Sequence, residues 1–463
     1  MGVSFLGSYP LDSEMTHFFF SIFMDNSDSA SYSYAIPSWE SQDRKCVIPE
    51  KKIASRFGMI REIDMSRNVG GEVEMGVVDC EGIRVDVRDH LTDINMLLPL
   101  DAALTEEVSP HVTEQNLVPG NLDTYFRNYI TAQHAALTAA EKNNITLLPV
   151  GMIPGKDYNA SREALWSKIT SHYNPHYRYL AHRDGKHLET LESLSAYQVH
   201  IQQFNGEAAV GITRGLSMIA PYLAALAASS PIINGEYHGC KSERLKKKWS
   251  MPFSGTPPAE ALVSFISLRR YLDEKVPLMR TVAPGYYDVR LPRVEIGTVE
   301  TCVMDMSPDV DCLFTLTALI DAVGAKIAQC IETEEELPIQ FFGANTLDMN
   351  ERKWIIESHR RLLSSFRLYN ESVKTPNGIT TQVSALLRDL IQWSNGGEKL
   401  LSQTDDLCYR GSVAERMVSD MDLTRVYDMP VVVDAHIVQD TYTKYAHEYK
   451  NRIASLFLQY ATR

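Results

Sequence analysis

The chain has 463 residues, 44% of them hydrophobic and 22% charged, so it can bury a sizeable core and does not read as a disordered polymer. Forty-five Lys and Arg against 59 Asp and Glu leave a formal net charge of −14, which argues against nucleic-acid or anionic-membrane partners and leaves room only for a local cationic pocket. The seven cysteines form neither a CxxC pair nor a dense framework, which disfavours structural zinc and disulfides and suits a reducing compartment.

Residues 1–64 carry no sustained helical period and read as an N-terminal extension or arm. Their apolar run from His17 to Met24 is too short to span a bilayer and lacks a basic segment before it, so a cytoplasmic location is expected. From Met65 the pattern sharpens. GGEVEMGVVD at 70–79 alternates apolar and carboxylate residues, as a strand with one chemically active face does. Asp123 to Lys142 has helical spacing, and ITLLPVGMIP at 145–154 reads as a strand entering a turn.

Leu188 to Phe204 carries a helix-to-strand transition, with YQVHIQQF as the strand, and Ala208 to Ala228 forms a long apolar helix that the SSP at 229–231 ends. CKSERLKKKW at 240–249 reverses the overall acidity and reads first as a solvated basic face. A Pro/Gly-rich connection at 252–258 follows it. Tyr287 to Leu291 favours an extended chain, GTVETCVMD at 297–305 is a strong strand, and Leu313 to Cys330 a helix. The remainder is helix-compatible, notably 351–366 and 383–393. Residues 65–330 are therefore expected to form a catalytic core, with 331–463 a helical part of the same body.

Glu72 and Glu74 point to one face of their strand, where they can coordinate a divalent cation or form an exposed acidic edge. Glu114, His200 and Glu300 lie on other elements and can converge on them. Such a carboxylate-rich set with one imidazole suits Mg2+ or Mn2+ better than zinc. Arg290, Arg293, Arg244 and Lys241 are candidate partners for phosphate or a substrate carboxylate. Walker A, dinucleotide-binding, HExxH and GxSxG motifs are absent, and no general base adjoins Cys302 or Cys312.

The ordered segments GEVEMGVVD (71–79), QVHIQ (198–202), LAALAASSPIING (223–235), KSER (241–244) and DVRLPRVEIGTVETCVMD (288–305) resemble the type-2 glutamate–cysteine ligase family and its broader carboxylate–amine ligases. The resemblance implies a glutamine-synthetase-like α/β (α+β) fold with packed helices on a curved, largely antiparallel sheet. It also implies ATP and Mg2+ (or Mn2+) as cofactors, and activation of an amino-acid carboxylate, normally that of glutamate, as an acyl phosphate for attack by cysteine or another small amine. The implied partners are thus small-molecule amino acids and amines; a homo-oligomer, with a dimer favoured, is expected only as the default among soluble oligomers.

By the same resemblance Glu72, Glu74, Glu114, His200 and Glu300 are the metal residues, with Glu72 also catalytic. Arg290 and Arg244 are catalytic and nucleotide-binding, joined in nucleotide binding by Lys241 and Arg293. Gln198 stands where the family has the first histidine of an HVH-like segment. Cys302 stands where related ligases carry an arginine, whose charge and paired hydrogen bonds a thiol cannot reproduce. Both are assigned to the substrate pocket. The departure at Cys302 points to another substrate pair, to compensation by Arg290 or Arg293, or to a binding or regulatory protein that has lost ligation.

Overall fold

A computed structural model describes residues 68–461, apart from 108, 155–193, 204, 251–253, 276–285, 292–296, 345–347, 366–367 and 424–429. The expected arm at 1–64 and Arg293 lie outside the described residues.

The site is carried by a seven-stranded, antiparallel sheet. Its strands are β1 (Val69–Asp79), β2 (Leu104–Glu106), β3 (Val112–Gly120), β4 (Ile145–Leu148), β5 (Ala196–Gln202), β6 (Val289–Arg290) and β7 (Thr298–Asp305). Their order is β6-β7-β5-β1-β3-β2, with β4 pairing the far half of β1. In β1, Val69, Gly71, Val73 and Met75 are buried while Gly70, Glu72 and Glu74 are half-buried, the alternation of a strand with one face on the core. Gly71 is required by close approach: a Cβ there would lie 2.2 Å from the Tyr125 hydroxyl and 2.8 Å from the Gln198 carbonyl.

Three long helices contribute to the core behind the sheet. Helix α1 (Leu122–Lys142) starts where the Asn121 side chain accepts from Thr124 N at 2.9 Å. It turns Tyr125 and Tyr129 inward, and the Tyr125 hydroxyl meets that of Tyr197 on β5 at 2.9 Å. Helix α2 (Gly206–Ala227) continues through Pro221 and is buried along nearly its whole length. It is long and apolar enough to cross a membrane by length and composition, yet 94% of its apolar window is buried inside the protein. Between the two, α4 (Val310–Glu332) places Thr317 Oγ1 2.8 Å from the Tyr197 hydroxyl.

A short helix, α3 (Glu243–Lys248), corrects the reading of 240–249 as a solvated basic face. Lys241, Arg244 and Lys248 are buried, and of the three lysines at 246–248 only Lys246 is exposed. Residues 302–305 of β7 run on past the end of the short strand β6, and the basic side chains of α3 satisfy carbonyls there. The C-terminal part supplies α5 (Met349–Ser364), α6 (Val383–Trp393), α7 (Gly397–Arg410), α8 (Val413–Asp420) and α9 (Ala435–Ala461), with a small hairpin of Ser372–Lys374 and Thr380–Gln382. Helix α5 packs on α2, α6 and α7 on α4, and α9 on α1.

Candidate active site

Register assembles the site. Glu74 lies opposite Glu114, and Glu72 lies between Asn116 on β3 and Gln198 on β5. His200 lies opposite Glu300, which in turn lies opposite Arg290 on β6. Directly paired residues share a face, as do residues two apart in one strand. The sheet therefore brings together seven residues singled out from the sequence, Glu72, Glu74, Glu114, Gln198, His200, Arg290 and Glu300, in one row across five strands.

One end of the row is a cluster of like charges. Ligand oxygens of Glu74, Glu107 and Glu114 lie within 4.8 Å of one another. Glu74 accepts from Ala196 N at 2.7 Å and from Gln198 Nε2 at 2.5 Å, and Glu114 from Asn116 Nδ2 at 2.6 Å. No cation from the protein is bonded to Glu74 or Glu114 among the described residues. Burial and then the Glu107 charge push the Glu74 carboxyl up to about 8, against the pull of Arg244. The same two causes raise Glu114 well above the usual carboxylate range.

Glu107 is missing from the residues singled out by sequence. The signal for it was the Ser109-Pro110 turn, which makes 104–120 a hairpin: Thr105 pairs with Glu114, and Glu107, two residues on, alternates back to the same face. The cluster fits a hard divalent cation, since its donors are all carboxylate oxygens gathered within one coordination sphere. Beside it, the buried side-chain oxygen of Gln198 has no hydrogen-bond partner, although its amide nitrogen is held on Glu74.

The other end is charge-balanced. Arg290 donates to Glu300 Oε1 from Nε at 2.9 Å, and its Nη2 lies 2.6 Å from the same oxygen. Burial opposes ionisation of Glu300, but Arg290, His200 and Lys248 together outweigh it and hold the carboxyl below its ordinary value. His200 Nε2 is 3.3 Å from Glu72 Oε1, and Nδ1 is 3.5 Å from Thr298 Oγ1. Burial lowers the imidazole pKa, and the Glu72 and Glu300 carboxylates more than reverse this, so His200 titrates above its usual value.

The remaining basic candidates lie off this row. Arg244 is buried beside β7, donating to the carbonyls of Cys302 at 2.9 Å and Val303 at 3.4 Å and to Asp305 Oδ1 at 3.4 Å. Its Nε has no partner, and its charge is felt at Glu74. Lys241 is fully buried with Nζ 2.9 Å from Glu415 on α8, an ion pair that joins the segment leading into α3 to the C-terminal helices. Cys302 is buried and donates its thiol to the Tyr287 carbonyl at 2.8 Å. Lys248, also not singled out from the sequence, brings Nζ to 3.5 Å from Cys302 Sγ. That ammonium is 3.0 Å from Asp288, so the cation beside Cys302 is already neutralised.

Comparisons with known proteins agree with this architecture. Residues 68–365 match the model of Glutamate-cysteine ligase family 2 (GCS2), more than half of the chain. A candidate glutamate–cysteine ligase 2 of Azoarcus sp. (strain BH72) is 28% identical over 259 residues, 55% of this chain and 66% of that protein. A glutamate–cysteine ligase of Natronomonas pharaonis is 27% identical over 356 residues, 74% of this chain and 93% of that one. The chain spans between 42% and 67% of the length of seven such relatives, the Azoarcus protein among them.

Among solved structures, glutamate–cysteine ligase from Francisella tularensis in complex with AMP superposes with a TM-score of 0.51 at 11% identity, over 85% of this chain and 95% of that one. A bifunctional glutathione synthetase from Pasteurella multocida gives 0.53 at 13% identity, over 84% and 52%. These two likenesses bear out the expected mixed α/β fold of antiparallel sheet and packed helices. With most of its length matched from β1 through α5, the chain belongs to glutamate–cysteine ligase family 2.

Proposed function

We propose that the protein is an ATP-dependent carboxylate–amine ligase that forms an amide bond through an acyl phosphate. Its first candidate substrates are glutamate, or a related amino acid, and cysteine or another small amine. The observation that carries the reading is the row of carboxylates on a family-2 sheet, with a three-carboxylate oxygen cluster at one end and a buried Arg–Glu pair at the other. Residues 65–463 would then act as one catalytic body, in a cytoplasmic enzyme.

In this reading Glu74, Glu107 and Glu114 hold Mg2+ or Mn2+, with the Gln198 oxygen close by, and Glu72, His200 and Glu300 frame the centre of the face. A divalent ion bound there supplies charge stabilisation for the transferring phosphoryl group. The chain's own residues do the rest. Arg290, locked on Glu300, offers a fixed guanidinium to phosphate or to the acid substrate. Arg244 contributes positive potential from beside the sheet. His200, whose proton affinity the Glu72 and Glu300 carboxylates raise, can pass a proton to a leaving oxygen or keep Glu72 in place until a cation arrives.

Product mass spectrometry after incubation with Mg2+, ATP and pooled amino acids tests this, with glutamate plus cysteine alone and a Glu72→Gln control. A conjugate one water lighter than its two parts, formed only with ATP and lost in the variant, is the expected outcome. Cys302, whose neighbouring ammonium is neutralised by Asp288, favours a second reading of a nucleotide- or amino-acid-binding protein without ligation. Stabilisation by ATP with no conjugate from any pair would select that one.

A further inference from the structure

Behind the carboxylate face runs a polar chain with no part in the chemistry just described. The Tyr129 and Tyr449 hydroxyls are 2.8 Å apart, and Tyr449 on α9 donates to Gln133 Oε1 on α1 at 2.8 Å. Gln133 Nε2 donates to Gln115 Oε1 on β3 at 2.7 Å, and Gln115 Nε2 donates to the Ala102 carbonyl at 2.5 Å. All four side chains are 0% exposed. Apolar residues of similar volume would fill this part of the core at comparable stability, since a satisfied buried hydrogen bond adds little net. A fully connected network does fix one arrangement of the elements it joins.

Those elements carry two of the three clustered carboxylates. Gln115 is the neighbour of Glu114, pointing to the opposite face of β3. Ala102 sits two residues ahead of β2, the arm that ends in Glu106 and leads into Glu107. One amide thus ties both arms of the hairpin together, while Gln133 and Tyr449 anchor them to α1 and α9. The Glu107 charge and a Glu107–Glu114 side-chain hydrogen bond both act on Glu114, and the tie fixes the separation at which a cation would replace that hydrogen bond.

We propose that the Tyr449–Gln133–Gln115 chain is a positioning device that holds Glu107 and Glu114 at cation-binding separation, which makes the C-terminal helix a working part of the site. The inference rests on the cluster being a cation site. The test measures Mn2+ binding to the full chain by electron paramagnetic resonance, beside thermal unfolding. Gln133→Leu and Tyr449→Phe are expected to weaken Mn2+ by about tenfold, the low end for groups that orient ligands. Leu390→Ala, a core truncation in α6, should lower Tm and leave Mn2+ affinity unchanged.

Wild-type affinity in both network variants, or equal weakening in Leu390→Ala, overturns the proposal. Glu114→Gln separates the two claims. If it too binds Mn2+ like the wild type, the cation reading falls and this inference with it. If it binds weakly while the network variants bind normally, the positioning role alone is lost.

Discussion

The two ends of one sheet face solve the problem of buried charge in opposite ways. At the β5–β7–β6 end the folded chain supplies its own counter-ions, with Arg290 on Glu300 and His200 near Glu72. At the β1–β3–β2 end Glu74, Glu107 and Glu114 converge with only polar hydrogens on Glu74 and Glu114, and burial beside Glu107 favours the protonated form of those two. Charges balanced within the fold add to stability and specificity of packing, whereas charges left unbalanced store affinity for something outside it. On the proposed function, the same residue type would anchor the fold at one end and hold a cation at the other.

The contrast breaks most sharply by removing one charge from each end. Arg290→Met strands Glu300, which is 1% exposed, and is expected to destabilise the protein by about 3 kcal/mol or more, read as a fall in denaturant midpoint. Glu114→Gln should do the reverse to the metal-free protein, raising its Tm because repulsion and desolvation are both relieved. The same variant should lose about 100-fold in Mg2+ affinity by titration calorimetry. A Glu114→Gln protein that is less stable than wild type without metal would mean that the cluster is already compensated.

Much of this face was legible in the sequence, and the reasons are local. Alternation in GGEVEMGVVD fixed the shared direction of Glu72 and Glu74, and the helices at 123–142, 208–228, 313–330 and 383–393 announced themselves by apolar period. Cross-strand register was not legible, because nothing local says that Glu74 faces Glu114 or that Glu300 faces His200. Glu107 was lost for want of the hairpin that returns it to the face. Lys248 was lost because a run of three lysines reads as solvated, while the sixth residue of a one-and-a-half-turn helix beside an uncovered strand edge is drawn inward to Asp288 and the Cys302 carbonyl.

A pH series sharpens the comparison, since the carboxyls Glu74 and Glu300 at the two ends shift in opposite directions. Between the ordinary carboxylate value of 4.5 and about 8 the folded Glu74 keeps a proton that the unfolded chain releases, so stability falls as pH rises through that window. Glu300, depressed by Arg290, contributes stability above its unfolded value and loses it as pH falls through its folded one. The metal-free protein should thus show Tm declining from pH 5 to 8 and again in strong acid. Saturating Mg2+ should flatten the decline between 5 and 8 alone. A Tm independent of Mg2+ across that window would remove the cluster from the list of cation sites.

The smallest expected effect is at Cys302, and its smallness is informative. The thiol packs at 5% exposure and donates to the Tyr287 carbonyl, while the ammonium of Lys248 beside it is held by Asp288. If those contacts are its whole role, Cys302→Ala costs about 1 kcal/mol, the worth of one modest hydrogen bond, and leaves both Mg2+ affinity and the pH profile of stability unchanged. A change in the identity of the conjugated amine, with stability moved no further than that, would instead place Cys302 against the substrate. The Lys248–Asp288 pair would then be the wall of that pocket, and the balanced end of the face would be where substrates are told apart.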